Sequence, residues 1–412
     1  MRVGGGAFDI TPAEGGVLAP AGFTAAGVAA GIKKRPGALD VCVLDAGRPV
    51  PVAAVFTANT MAAPPVVVSR RAVSDGRLRA WVVNSGNANA CTGQHGHTDA
   101  IAMAEDAAAA LGCEAADVGV SSTGVIGVPM PMDRVRRGIA GAVGALGATS
   151  THDRAAAEAI MTTDTFAKQA ALTVEVDGST YTVGGMAKGS GMIEPNMATM
   201  LAFITTDAPL TAEACDAALG SAVGATFNRI TVDGDTSTND MCALMASGAA
   251  GAGSIDPAHP HFAAIATTIA RTCAELARMI VRDGEGATKL VEVTVCGAAS
   301  EQEAETAARA IANSPLVKTA LFGGDANWGR VAMALGNSGA TVDPSRVEIV
   351  FAGIITCKGG TAVAFSEEAA AAALAHDQIE VKVDLHLGTG QATVLTCDLS
   401  YEYVRINGEY RT

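Results

Sequence analysis

Short β-type runs alternate with helical stretches along all 412 residues, and this alternation restricts the fold more than any other feature of the sequence. A helix is predicted over 262–281, ended by Asp283-Gly284, and the capping box Ser300-Glu-Gln-Glu303 opens another helix that runs to about Ala312. Asp177-Gly178 lies between two β-type runs and predicts a hairpin turn. The pattern contains no short-period repeat and no low-complexity linker, so it predicts a mixed α/β fold.

Helix caps and β-branched runs locate further elements and one domain boundary. Thr98 is predicted to cap a helix over 100–110, and a further helix is predicted over 154–161. A shift in composition between Asp283 and Glu292 predicts the boundary between two domains. Strands are predicted at Val52–Phe56, Trp81–Val83, Leu290–Val295, Val347–Phe351, Ile379–Leu385 and Ala392–Cys397.

The composition is that of a folded, acidic protein. Hydrophobic residues make up 49% of the chain and charged residues only 17%, which provides the material for a large core. A net charge of −14 and an aromatic content of 4% disfavour nucleic-acid binding, which needs cationic surfaces or stacking platforms. The chain lacks an unbroken apolar run of about 18 residues, so no membrane span is predicted, and no secretory segment is expected at the N-terminus. Nine cysteines without a CxxC pair predict reduced thiols and a cytoplasmic protein.

Two candidate sites fail on the details of their patterns. Ser121 lies in Gly119-Val-Ser-Ser-Thr123, where a nucleophile elbow requires a final glycine, so an ordinary turn serine is favoured. A local group of metal-ligand types lacks the second pair that zinc sites usually recruit, so no metal site is predicted there. This group consists of Cys91, His95, His97 and Asp99. The histidines form no convincing pair with a serine or cysteine, which disfavours hydrolase triads.

The most informative segment runs from Lys188 to Phe203. Gly189 and Gly191 permit backbone turns that other residues resist, and Pro195 holds the residue before it extended. The chain then becomes apolar and strand-like, with Ala198-Thr199 at the start of the strand. By pattern alone, this is a tight turn that leads into a core strand.

The same segment resembles the self-processing site of the ornithine acetyltransferase (glutamate N-acetyltransferase) family of arginine biosynthesis. Two positions depart from the family pattern: Glu194 stands where a small residue or histidine is expected, and Ala326 where proline is expected. Further matching blocks follow the family order over nearly the whole chain. They are 83–93, 122–127, 161–165, 227–240, 282–289, 327–330, Asn407 and Thr412.

The resemblance implies a precursor that cleaves itself between Ala198 and Thr199. The products would be an α chain (1–198) and a β chain (199–412), which stay associated, with two copies of each in the assembly. The implied fold is a layered α-β-β-α sandwich over 1–285, similar to that of N-terminal-nucleophile hydrolases. A smaller C-terminal α/β domain is implied over 286–412.

The resemblance also implies the chemistry. A threonine hydroxyl needs a base, and the new α-amino group of Thr199, with a reference pKa of about 7.7–8.0, can be that base. Thr199 would take the acetyl group from N2-acetylornithine and pass it to glutamate by a ping-pong route without a cofactor. Thr123 and Gly124 are implied as the oxyanion hole. The implied substrate-binding residues are Thr162, Lys188, Thr199, Glu285, Asn407 and Thr412.

Several alternatives stay open at this point. A bifunctional form would also acetylate glutamate from acetyl-CoA as a co-substrate. An N-terminal-nucleophile amidase or aminopeptidase would use water as the acceptor, and a non-catalytic relative would stay uncut. From the residues alone, Lys188 is equally a solvated loop charge, Glu285 the end of a helix, and Asn407 part of a frayed tail.

Overall fold

The computed structural model describes residues 8–194 and 200–409, and these ranges contain fifteen β-strands and eleven α-helices. The strands are β1 (Asp9–Pro12), β2 (Thr24–Val28), β3 (Val41–Phe56), β4 (Arg77–Asn87), β5 (Val118–Val125), β6 (Lys168–Val176), β7 (Ser179–Lys188), β8 (Leu201–Thr206), β9 (Met241–Ala246), β10 (Leu290–Ala298), β11 (Glu348–Phe351), β12 (Ile354–Lys358), β13 (Thr361–Ala362), β14 (Gln378–Asp384) and β15 (Gly390–Cys397). The helices are α1 (Pro64–Ala72), α2 (Gly93–Leu111), α3 (Met132–Gly144), α4 (Ser150–Ala159), α5 (Ala212–Ala225), α6 (Phe262–Arg282), α7 (Glu301–Asn313), α8 (Pro315–Phe322), α9 (Trp328–Gly336), α10 (Glu367–Leu374) and α11 (Tyr401–Glu409).

The long strand β3 connects two halves of one sheet. Its first part pairs with β2 and β4, and after a register shift between Asp45 and Val50 its second part pairs with β9. Irregularities of this kind bend a strand and increase its twist. Among the described residues, the sheet has nine strands in the order β1-β6-β7-β8-β9-β3-β4-β5, with β2 also on β3. The bend turns the halves face to face, and the rings of Trp81 in β4 and Phe203 in β8 meet edge to face at 5.8 Å.

Alternate residues of these strands face different cores, as the two-residue period of a strand requires. In β8, Phe203 packs into the core between the two half-sheets, whereas Ile204 packs against α5 and α6. In β4, Trp81 faces the same inner core, whereas Val82 packs against α2 and α3. The layers are therefore helices, sheet, sheet and helices, and the predicted α-β-β-α sandwich is confirmed.

A second, smaller sheet follows α6. Its order is β13-β12-β11-β14-β10-β15 within the described part of the chain, and it packs its own core with α7, α8, α9 and α10. Leu290, Leu395 and Cys397 extend from this sheet into the core of the first sheet. The predicted C-terminal α/β unit is present, while its boundary at residue 286 stays a prediction. Within the two described ranges, no helix has both the length and the apolar character needed to cross a bilayer.

Most local predictions agree with the structure, but two helix starts are wrong. The hairpin turn at Asp177-Gly178 has positive φ at both residues (48° and 77°), and Ser300 Oγ caps α7 by accepting from Glu303 N at 3.2 Å. Thr98 is not a cap, because α2 already begins at Gly93 and Thr98 Oγ1 donates to Gln94 O inside the helix. The helix predicted over 154–161 is α4, which starts four residues earlier, at Ser150.

Candidate active site

Eight separate segments of the chain line one cavity of about 200 Å³. They include the ends of β5 and β7, the segments after α4 and α6, the start of β8, the segment before β9, and helix α11. Ala198, Thr199 and Thr412 lie outside the described residues, but Met200 and Leu201, which follow Thr199 in the chain, line the cavity. Its lining includes the predicted site residues Thr123, Gly124, Thr162, Lys188, Glu285 and Asn407.

A backbone irregularity shapes the Thr123-Gly124 wall of the cavity. Strands β4 and β5 run parallel until their register shifts at Gly86 and Asn87, opposite Gly124. Gly124 has a φ of 130°, and a Cβ on it would lie 2.4 Å from the carbonyl carbon of Gly86. The position therefore requires glycine, both for its conformation and for the close approach of β4.

Lys188 and Thr123 contact each other in the wall of the cavity. Both side chains are buried, and Lys188 Nζ donates a hydrogen bond to Thr123 Oγ1 at 3.3 Å. An ammonium group only donates, so the Thr123 hydroxyl accepts this bond and its own proton stays available for a second acceptor. The pair therefore presents a positive charge and an O–H donor at one point of the wall.

Burial is the largest influence on the charge of Lys188 and lowers the pKa of its ammonium group. Asp164, Asp240 and Glu285 raise that pKa, whereas nearby Lys168 lowers it. The carboxylates around Lys188 therefore favour its protonated, positively charged form against the effect of burial.

Glu285 is fixed between the Gly191 segment and α11. A Cβ on Gly191 would lie 2.5 Å from the carboxyl carbon of Glu285, so this side chain packs directly on the Gly191 backbone. Asn407 Nδ2 donates to Glu285 Oε2 at 2.8 Å. The alternative of a frayed tail is wrong, because Asn407 lies in helix α11, which brings it to the cavity.

Several acidic residues of the site were not predicted individually. Asp233, Asp235 and Asp240 line the cavity and belong to the block 227–240, whose density of polar residues is a signal for a site. Asp233 accepts from the backbone N–H groups of Met192 and Ile193 at 2.6 and 2.7 Å. Burial raises the pKa of Asp233, and these two bonds oppose the rise. Asp233 therefore holds the backbone of the Gly-rich segment in place.

Asp164 and Lys168 form a second group that was not predicted. Lys168 is fully buried and its Nζ lies 2.7 Å from Asp164 Oδ1 and 2.5 Å from Asp283 Oδ2. Asp164 Oδ2 accepts from Thr162 N at 2.8 Å. Asp164 is in the matched block 161–165, but its partners come from distant parts of the sequence.

A larger groove of about 1280 Å³ adjoins the cavity, and Thr162 lines both. Its lining contains four cationic residues and three acidic ones: Lys33, Lys34, Arg35 and Arg154, with Glu158, Asp164 and Glu409. Lys34 and Arg35 form no ion pair with any residue in the described ranges, whereas Arg154 pairs with Glu158 at 2.7 Å. Burial lowers the pKa of Lys33 to about 8.

The rejected candidates lie away from this cavity. Ser121 faces the inner core, where its Oγ accepts from Trp81 Nε1 at 2.7 Å and donates to Met241 Sδ at 2.8 Å. His95 lies on α2 with Nε2 3.6 Å from Asp99 Oδ2. Among the residues the structure describes, no group of three or more His, Cys, Asp or Glu side chains could hold a metal ion.

The charge of Glu194 is compensated by α7. Asn313 Nδ2 donates to both carboxylate oxygens of Glu194 at 2.9 Å, and Arg309 lies 3.5 Å away. Glu194 lines a different cavity, of about 530 Å³, so the departure from the family pattern at this position adds no charge to the wall of the 200 Å³ cavity.

Comparison with known proteins gives consistent matches. Residues 24–412 match the model of the ArgJ family. The arginine biosynthesis bifunctional protein ArgJ of Symbiobacterium thermophilum is 54% identical over 399 residues, covering 97% of this chain and 99% of the relative. The crystal structure of arginine biosynthesis bifunctional protein ArgJ from Bacillus halodurans has 49% identity and a TM-score of 0.50, covering 52% of this chain and 100% of that chain. The structure of ornithine acetyltransferase with ornithine from Mycobacterium tuberculosis has 43% identity and a TM-score of 0.43, covering 46% of this chain and 99% of that chain.

Proposed function

The chain belongs to the ArgJ family of arginine-biosynthesis enzymes, and on this premise we propose that it is an acetyltransferase that moves an acetyl group from N2-acetylornithine to glutamate. One observation supports this proposal above all others. One cavity is lined by segments that are far apart in sequence. They carry the proposed oxyanion donors, the cation Lys188, the acidic Glu285 and the residues that follow Thr199. A volume of about 200 Å³ equals about seven water molecules in the liquid, which suits an acetylated amino acid.

In the first half-reaction, Thr199 Oγ attacks the acetyl carbonyl of N2-acetylornithine. The Thr199 amine accepts the hydroxyl proton, a C–O bond forms, and the amide C–N bond breaks as the proton passes to the departing amine of ornithine. The Thr123 hydroxyl and the Gly124 N–H stabilise the intermediate oxyanion. The Lys188–Thr123 hydrogen bond supports this role, because it leaves the Thr123 proton free to donate.

In the second half-reaction, the α-amine of glutamate attacks the acetyl ester on Thr199. The C–N bond of N-acetylglutamate forms, the ester C–O bond breaks, and Thr199 regains its proton. One amide replaces another, so no external energy source is required. Lys188 would bind a substrate carboxylate and Glu285 an ammonium group, while Thr162 and Asn407 complete the site.

The nucleophile requires self-cleavage before Thr199, and this is part of the proposal. The solved Bacillus halodurans chain supports it by its length. It matches from end to end but covers 52% of this chain, and 52% of 412 residues is about 214 residues. The proposed segment 199–412 has the same length.

A second candidate activity, acetylation of glutamate from acetyl-CoA, is favoured by the cation-lined groove. Its volume of about 1280 Å³ is far larger than an amino acid needs, and Lys34 and Arg35, which form no ion pair within the described residues, suit the phosphates of a long, extended acyl donor. Because Thr162 lines both spaces, the acyl end of a molecule in the groove can reach the cavity.

The test is an acetyl-transfer assay with two acceptor conditions, glutamate and water alone. N2-acetylornithine should yield ornithine and N-acetylglutamate in equal amounts when glutamate is present, and little ornithine when only water is available. Ornithine release at the same rate without glutamate would contradict the transferase proposal and favour an amidase. Absence of any acetyl transfer by fully cleaved protein would exclude both.

The same assay with acetyl-CoA as donor tests the groove. The double variant Lys34→Glu/Arg35→Glu should lose acetyl-CoA-dependent activity while transfer from N2-acetylornithine continues. Lys382→Glu is the matched control, because Lys382 is an exposed cation on β14 of the other sheet. Equal loss with both donors would contradict a role of the groove in binding the second donor.

A further inference from the structure

A fully buried ion triad lies directly behind the cavity. Lys168 at the start of β6 is held between Asp164 and Asp283, at 2.7 and 2.5 Å. Burying three charged groups is costly unless each one is paired and hydrogen-bonded. Both carboxylates meet this requirement: Asp283 accepts from Thr165 N, and Asp164 accepts two backbone bonds in addition to the ion pair.

The two backbone bonds of Asp164 go to segments that carry proposed substrate-binding residues. Its Oδ2 accepts from the N–H of Thr162 at 2.8 Å, and its Oδ1 accepts from the N–H of Gly189 at 2.7 Å. Thr162 lines the cavity, and Gly189 directly follows Lys188 in the chain. One carboxylate therefore bonds directly to the backbone of both segments.

The triad also connects to the Glu285 segment. Asp283 lies two residues before Glu285, its carbonyl accepts from Ser190 Oγ at 2.5 Å, and Glu285 N donates to Ser190 O at 2.9 Å. The segments that hold Thr162, Lys188 and Glu285 thus meet at Asp164, Lys168 and Asp283.

We propose that Asp164 is a positioning residue of the acyl-transfer site: it sets the placement of Thr162 and Lys188 by two backbone hydrogen bonds, and its negative charge keeps Lys188 positive for binding a substrate carboxylate. Asp164 lines the adjoining groove but not the small cavity, so it acts on the small cavity through these neighbours. The inference rests on the proposed function, because it assigns Lys188 to substrate binding.

Electrostatics agree with this geometry. Burial alone would raise the pKa of Asp164, but Lys168 and Lys188 hold it well below its usual range, so Asp164 is ionised wherever the enzyme works. Burial lowers the pKa of Lys188, and the charge of Asp164 opposes that effect. The charged groups that face Lys188 are Asp164, Lys168, Asp240, Glu285 and Lys33.

The sign of the expected pH effect follows from these charges. Substrate binding is lost as Lys188 loses its proton, so kcat/KM for N2-acetylornithine should fall on the alkaline side of the profile. Neutralising Asp164 removes a group that raises the pKa of Lys188, so the alkaline fall should move to lower pH. A shift of about one pH unit is expected for loss of a neighbouring opposite charge.

The experiment measures kcat/KM for N2-acetylornithine against pH in fully cleaved enzyme. In a ping-pong reaction this quantity does not depend on the acceptor, so titration of glutamate does not affect it. Asp164→Asn should move the alkaline fall to lower pH, and Asp164→Glu, which keeps the charge but displaces the oxygens, should keep the fall in place while KM rises. Asp164→Ser is the second neutral variant, with the same expected shift, should Asp164→Asn fail to fold.

Asp283→Asn is the matched control. It removes the other carboxylate from Lys168, but Asp283 is not among the largest influences on the pKa of Lys188, so the alkaline fall should stay close to the wild-type pH. Lys188→Arg identifies the titrating group, because a guanidinium stays charged and the fall should disappear.

The outcomes separate this inference from the function it rests on. If wild-type enzyme transfers acetyl groups and Lys188→Arg abolishes the fall, but neutral Asp164 variants leave it in place, the positioning role is wrong and the proposed function stands. If Asp283→Asn and Asp164→Asn move the fall equally, the triad is a structural unit without a particular role for Asp164. If wild-type enzyme transfers no acetyl group, both proposals fall together.

Discussion

At the scale of single residues, Thr123 is the most direct test of the proposed oxyanion hole. Its hydroxyl accepts from Lys188 at 3.3 Å and has one proton to donate. Thr123→Ala should lower kcat by about 10²–10³, the usual cost of losing one oxyanion donor, with a smaller change in KM. Thr123→Ser keeps the hydroxyl and should retain most of the activity. Steady-state kinetics with N2-acetylornithine would measure both.

The control for this substitution is Thr98→Ala, which removes the same atoms from an exposed position on α2. It should leave kcat unchanged. A loss smaller than tenfold in Thr123→Ala would contradict the assignment of the hydroxyl to the oxyanion hole.

Residues of the site could be predicted where a motif included them, and not where only the fold brings them together. Thr123, Lys188 and Glu285 each stand in a matched block, so the resemblance names them, and the structure places all three at one cavity. The role of Asp164 depends on Lys168 and Asp283, and Asp283 is 119 residues from Asp164 in the sequence. Only the pairing of β6 with β7 and the end of α6 bring these charges together.

At the scale of elements, α11 depends on a glycine for its approach to the cavity. Gly286 has a φ of 71°, and a Cβ on it would lie 2.5 Å from Tyr403 N in α11. Gly286→Ala should therefore displace α11 and weaken the Asn407–Glu285 hydrogen bond. A hydrogen bond to a charged group contributes about 1.5–3 kcal/mol, so KM should rise by about tenfold or more.

Gly324→Ala controls for backbone strain. Gly324 has a nearly equal φ of 68°, but a Cβ on it would meet no atom within 4 Å. Gly324→Ala should lose about 1–2 kcal/mol of unfolding free energy, measured by urea denaturation, because alanine is strained in the left-handed region, and Gly286→Ala should lose at least as much. Only Gly286→Ala should raise KM; an equal rise in both would contradict the role of α11.

The sequence predicts some helices more clearly than others. The apolar periodicity of α6 and its Asp283-Gly284 stop predict its bounds to within one residue. Helix α2 starts with the polar stretch Gly93-Gln-His-Gly-His, which shows no apolar face, so its first turn could not be predicted. Helix α11 buries none of its residues, so its sequence shows no apolar periodicity from which a helix could be predicted.

At the scale of the whole molecule, the proposed fragments share one sheet. Strands β8 and β9 come after residue 199, yet they lie between β7 and β3, which come before it. Separation would break the β7–β8 and β3–β9 pairings and expose both cores. The fragments should therefore elute together from a size-exclusion column without denaturant, at a mass of 41.2 kDa or a multiple of it. Fragments that separate under these conditions would contradict this account.

The overall architecture was predictable only in part. Alternating strands and helices indicate an α/β protein, but the α-β-β-α layering came from the family resemblance. The layering depends on the bend in β3 between Asp45 and Val50. The bend contains Gly47 and Pro49, but these residues do not indicate that one strand pairs in both half-sheets.

The central claim is that Thr199 becomes an N-terminal nucleophile, and an intact mass under denaturing conditions tests it most directly. Wild-type protein should give fragments of 198 and 214 residues, with Thr199 as the first residue of the second fragment. Thr199→Ala should stay a single chain, because the attacking hydroxyl is gone. A single species of 41.2 kDa from active wild-type protein would contradict the account, since the amine that activates the hydroxyl would not exist.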